Sequence, residues 1–197
     1  MPGRLTVVSV LAVLSAGPSS RLHAQCPDGS PPPCRFSRTA GSASANSVAV
    51  LYFENLSRDT TDIYLADGLT EDVTAKLGQV RRLSVTSRAS VRRLHGAALM
   101  PTALLGQTLN VAYLVSGSVQ RSGERLRVTV ELLRAKTGER LWGDQYDRSA
   151  ADVLAIQEDI ARAVAGGIAG RLLPAEQAKI AARPTLSPEA YDHYLRG

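Results

Sequence analysis

VAVLYFENLSRDTTDIYLADGLTEDVTAKL, residues 48–77, contains a buried strand, a polar crossing and an amphipathic helix in one continuous unit. Val48, Ala49, Val50, Leu51, Tyr52 and Phe53 make an apolar run too short for a helix and rich in β-formers, the pattern of a strand covered on both faces in mid-sheet. Glu54 to Thr61 is polar and carries Asn55, Ser57 and Asp59, whose side chains bond nearby backbone, so the chain is expected to leave the sheet there. A helix is predicted from Thr61 or Asp62. Its apolar positions, Ile63, Ala66, Leu69 or Thr70, Val73 and Leu77, recur at helical spacing, while Asp67, Glu71, Asp72 and Lys76 fall largely elsewhere on the wheel. Gly68 interrupts this helix at a cost of about 1 kcal/mol against alanine. It marks either a close backbone approach or ordinary tolerance.

Working outward toward the C-terminus, Arg81 to Thr86 reads as a second strand joined to the first through the helix, which predicts a parallel βαβ pair. Arg81, Arg82, Arg88, Arg92 and Arg93 then place five guanidinium groups in a short span. They are candidate contacts for phosphate or an acidic partner, although a solvated helix face is the plainer reading because no aromatics interleave to stack on bases. Pro101 to Leu109 is a short helix with proline at its start. From Val111 the period changes to two. Strands on either side of Ser122-Gly123, and a third from Arg140 to Tyr146 after Lys136-Thr137-Gly138-Glu139, form a meander. Trp142 and Tyr146 share a face of that third strand, either packed against a helix or forming an aromatic recognition platform. Val153, Ile156, Ile160, Val164 and Ile168 then give a long helix to cover the sheet. Pro174 and Pro184 bracket a solvated segment, a short helix or linker. Ser187-Pro188-Glu189 caps a last helix whose Tyr191, Tyr194 and Leu195 are expected to face a neighbour.

Toward the N-terminus, residues 1–24 have the form of a secretory leader: Arg4, an apolar run from Leu5 to Ala16, and a polar end at Ala24. An uncleaved anchor is the alternative, but the run is short for a span. Cys26 and Cys34 lie in QCPDGSPPPCRF, within the segment 25–46 that also contains a flexible linker. In an exported chain they predict one disulfide, since a metal site would need further ligands and their spacing is not that of a redox C-x-x-C. The 197 residues suffice for one domain with a sizeable core plus tails. The net charge of +5, less the two arginines of the leader, is too small to argue for nucleic acid.

VAVLYFENLS with YLADGLTEDV, followed by VAYLVSGSVQRSGERLRVTVELLRAKTGERLWGDQYDR, LAIQEDIARAVAGGI and SPEAYDHYLRG, resembles the TolB-like amino-terminal domain, related to the FlgO domain, that precedes tetratricopeptide repeats in bacterial proteins. The resemblance spans roughly residues 47–197. It implies a mixed α/β domain over 47–173, with a mixed sheet packed against helices. Residues 174–197 are then a linker and a helix that opens a repeat region. Our element order is β-α-β-α-β-β-β-α.

No phosphate-binding loop, dinucleotide fingerprint, zinc-protease helix or nucleophile elbow occurs in the sequence. Asp67, Glu71 and Asp72 are the nearest acidic constellation, and Asp67 and Glu71 share a helix face where they could hold a divalent ion or act as acid and base. Solvated charge is the commoner meaning of such a pair. The expectation is therefore a non-catalytic protein-binding or assembly module of the bacterial cell envelope, exported, without a cofactor or a membrane span once the leader is gone. Its partner would be a protein, not nucleic acid, met at a sheet edge or the groove beside it. The alternatives are a ligand-sensing domain of a cyclase- or kinase-associated signalling protein and, further off, a metal-dependent enzyme.

Overall fold

The computed structural model describes residues 43–94, 100–183, 185 and 187–196. Of the two compact units, Met1–Thr39 and Ala40–Gly197, these belong to the second. The expected leader at residues 1–24, and the expected disulfide between Cys26 and Cys34, lie outside the described residues.

The opening stretch lies mid-sheet. Strand β1, Ser47–Val50, is buried at every position and pairs in parallel with β3 (Ser84–Val85) on one side and β4 (Tyr113–Ser122) on the other. The apolar run does not remain strand to Phe53. Leu51 still donates its amide to the Val115 carbonyl at 2.8 Å, while the Phe53 amide turns to Thr70 Oγ1 at 3.0 Å, which ties the crossing to the first helix. Nor does the chain leave the sheet at Glu54: Glu54–Asn55 forms a short strand, β2, parallel to β4 beyond the end of β1. The departure comes after it, through the side-chain chemistry anticipated there. Asn55 Oδ1 accepts the Ser57 amide at 2.9 Å, and Asp59 Oδ1 accepts the Thr61 amide at 2.8 Å, capping a 3-10 turn over Thr60–Asp62.

Helix α1, Ile63–Gly78, buries Leu65, Ala66, Leu69, Val73 and Leu77. Ile63 belongs to the periodic pattern but stays exposed, because it stands at the first turn, before the stripe meets the sheet at Leu65. After β3, much shorter than the expected 81–86, come α2 (Arg88–Arg92) and α3 (Thr102–Leu109). Strands β4, β5 (Arg125–Arg134) and β6 (Arg140–Ser149) form the antiparallel meander, with Gly123 (φ +59°) and Gly138 (φ +72°) in the turns. Among the described residues the sheet has six strands in the order β3-β1-β4-β5-β6, with β2 against β4.

Helix α4, Val153–Ala169, lays the predicted stripe across one sheet face and meets α1 there. Leu126, Val128, Val130 and Leu132 of β5 point into this core with Val115 and Val119 of β4. A smaller core on the opposite face joins Ala49, Leu114 and Ala135 to Val91 and Leu105 of α2 and α3. Pro174–Ala181 forms α5, and its burial of Ile180 and Glu176 departs from the solvated segment expected. Pro188–Arg196 forms α6. Its Tyr191 is buried and Leu195 sits over Gly68, where an added Cβ would lie 2.5 Å from Leu195 Cδ2. Gly68 thus marks a close approach. Tyr194 faces outward instead, 76% exposed, because it is on the side of α6 away from α1.

Candidate functional site

Strand β6 closes the path of the sheet, and no strand among the described residues pairs with its outer side. Backbone bonding shows which groups it leaves there. The Ala150 amide bonds the Glu124 carbonyl at 2.7 Å and the Ala135 amide bonds the Ala112 carbonyl at 2.9 Å, so even-numbered residues of β5 bond toward β6 and odd-numbered ones toward β4. In β6, Trp142, Asp144, Tyr146 and Arg148 therefore bond inward. Gly143, Gln145 and Asp147 present their amides and carbonyls outward. The Gln145 amide takes the neighbouring Asp144 Oδ1 at 2.8 Å in place of a strand partner.

The side chains of β6 divide in the same way. Tyr146 is buried against Val128 and α4, and burial raises its hydroxyl to a pKa of about 12. Trp142 packs partly buried against the same core. Both aromatics therefore serve the packing. Arg148 lies 5.7 Å from the Tyr146 ring centroid and pairs with Asp159 of α4 at 2.9 Å. On the opposite face Asp147 accepts from Arg125 and from Arg127, the latter at 2.9 Å, and these bonds hold its carboxyl below the ordinary range.

The five arginines do not converge. Arg82 is occupied: Nε and Nη2 donate to Glu176 at 3.0 and 2.8 Å, and the same guanidinium reaches the carbonyls of Ala169 and Arg171, fastening the entry to β3 onto the α4–α5 junction. Arg88 donates to Tyr52 Oη at 3.0 Å and to Glu71 at 3.0 Å. Arg81, Arg92 and Arg93 are exposed and make no ion pair among the described residues.

The acidic helix is likewise divided. Glu71 pairs with Arg88 and Asp67 keeps one buried carboxylate oxygen without a hydrogen bond. Asp72 turns inward to accept from Gln157 at 2.9 Å and from the Tyr191 hydroxyl. Burial raises the Asp72 carboxyl, partly offset by those bonds and by Lys76. Among the described residues no group of three His, Cys, Asp or Glu is placed to hold a metal ion. A cavity of ≈ 400 Å³ lies between α6, the β4–β5 turn and the start of α4, lined by Leu65, Arg121, Leu126, Val153, Tyr191 and His193 among others. Beside it, Tyr64 Oη donates to Asp192 at 2.7 Å and accepts from Arg196 at 2.7 Å.

The period-two pattern of residues 140–146 does not by itself distinguish an edge strand from a central one. The available signal is order: the strand is the last of a meander and the segment that follows it directly is a helix, not a further strand of the meander.

No family model matches the chain. A putative adenylate cyclase 3 from Rhizobium meliloti (strain 1021) is 34% identical over 150 residues, 76% of this chain. The chain spans only 25% of that relative's length. Among solved structures it is similar to TolB from Acinetobacter baumannii (17% identity, 64% of this chain and 29% of that one, TM-score 0.48). It is also similar to lipoprotein GNA1162 from Neisseria meningitidis (19% identity, 65% and 99%, TM-score 0.45) and to the LpoB C-terminal domain from Salmonella enterica (13% identity, 55% and 86%, TM-score 0.43).

Proposed function

We propose that this chain is a non-catalytic protein-binding module of the bacterial cell envelope that receives a partner's strand along β6. The observation that carries the proposal is the ten-residue edge strand whose outer amides and carbonyls have no strand partner among the described residues. Backbone pairing along such an edge supplies affinity without a polar active site. Asp144, Asp147 and Arg148 restrict which strand can add, since exposed charge on an edge opposes indiscriminate pairing. The envelope location rests on the leader-like pattern of residues 1–24, Arg4 followed by an apolar run.

A photo-crosslinking residue in place of Gln145, expressed in the native host, tests this reading. Crosslinks to a protein partner are expected, and Gln145→Pro should abolish partner binding with folding intact, because the amide it removes faces away from β5. Binding that survives Gln145→Pro rejects the edge as the site.

A second reading is supported by the identity with the putative cyclase: a ligand-sensing domain within a signalling protein. Arg81, Arg92 and Arg93 would then be the cationic contacts still available. Calorimetric titration with adenine nucleotides tests it. Saturable binding lost in Arg92→Ala/Arg93→Ala favours sensing, and absence of heat at high nucleotide concentration removes it.

A further inference from the structure

We infer that the strand received by β6 is β6 of a second copy of this chain, paired antiparallel about a two-fold axis at Tyr146. The inference rests on the edge reading above and names the partner. Both copies present the backbone of Gly143, Gln145 and Asp147, so a two-fold pairing matches outward groups with outward groups.

Charge then selects the register. With Tyr146 opposite Tyr146, Asp144 of each copy stands opposite Arg148 of the other, twice by symmetry, at positions where side chains are close. Gln145 falls opposite Asp147, and Gly143 opposite Ser149. Centring the axis on Asp144, Asp147 or Arg148 places like charges opposite each other. Centring it on Gln145 brings no opposite charges together. One register among these five is therefore complementary; centring the axis on Trp142 also sets Arg140 opposite Asp144, but pairs only residues 140–144 of the strand.

The present bonding is compatible with that exchange. The Gln145 amide is held by its own neighbour's carboxylate, Asp144 Oδ1 at 2.8 Å. An incoming strand offers that amide the Asp147 carbonyl and releases the Asp144 carboxylate to the second copy's Arg148. Arg148 keeps its bond to Asp159 and gains a second acid on its exposed side. The edge thereby discriminates: its charges oppose unrelated strands and suit its own.

Sedimentation equilibrium of the full chain tests the inference. The wild type should dimerise, and Asp144→Arg and Arg148→Glu should each weaken dimerisation about tenfold or more, since each puts like charges opposite twice. Mixed in equal amounts, the two variants should form a heterodimer, because each supplies the charges the other lacks. Amide exchange on the wild type requires no substitution: the Gln145 and Asp147 amides should slow as concentration rises. A wild type that stays monomeric at every soluble concentration, or a dimer indifferent to both reversals, overturns self-pairing. If crosslinks from position 145 then reach a different protein, the edge reading stands without it, and if they reach none both fail.

Discussion

At the scale of single residues, space and desolvation decide the outcome. A Cβ on Gly106 would lie 2.5 Å from Ala135 Cβ and 3.3 Å from Ala135 backbone, whereas one on Gly166 meets nothing within 4 Å. Both are helical, so alanine gains about 1 kcal/mol of propensity at each. At Gly106 overpacking outweighs this by about 1–2 kcal/mol. Urea unfolding should accordingly show Gly106→Ala destabilised and Gly166→Ala stabilised. Asp72 makes a pH-dependent prediction. Its folded pKa is raised above the ordinary 3.8, so the stability it contributes is fullest below that value and falls as pH rises through the folded pKa. In Asp72→Asn the side-chain amide oxygen can accept from both Gln157 and Tyr191 without ionising. This variant should therefore gain on the wild type as pH rises from about 3 to 7, and an unchanged difference across that range would contradict the assignment.

At the scale of elements, the C-terminal helices are held by polar anchors as well as apolar contact. Lys76 of α1 donates to the carbonyls of Ile180 at 2.7 Å and Ala182 at 2.9 Å, the orphan carbonyls at the end of α5. Lys76→Met keeps the packing and strands both carbonyls, which should cost about 1–3 kcal/mol. Limited proteolysis should then cut first around residues 181–187. The period-two pattern of the meander and the period-3.6 stripes of α1 and α4 were legible in the sequence, because apolar spacing reports directly which face is buried. Strand length was not. The extent of β3 and the existence of β2 depend on which neighbour is within bonding distance, and two-residue strands leave no periodicity.

At the scale of the whole molecule, Glu158, Glu176, Asp147 and Asp192 all have pKa values held below the ordinary 4.5 or 3.8: burial raises each, and bonds from arginine, for Asp192 from the Tyr64 hydroxyl first and then Arg196, outweigh it. For each acid the stabilisation is present above its unfolded pKa and lost as pH falls through the folded one. Unfolding midpoints should therefore drop steeply below about pH 4.5, and Arg82→Met should reduce that acid sensitivity by removing the Glu176 pair. The amino-acid sequence by itself determined a mixed α/β domain, its central strand, its two long helices and its meander, since hydrophobic periodicity is a local record of burial. Only the tertiary structure decided that the arginines are divided between separate carboxylates, that α6 closes over Gly68, and that the outer backbone of β6 has no strand partner among the described residues. Those outcomes depend on distances between residues far apart in the chain, which local pattern does not encode.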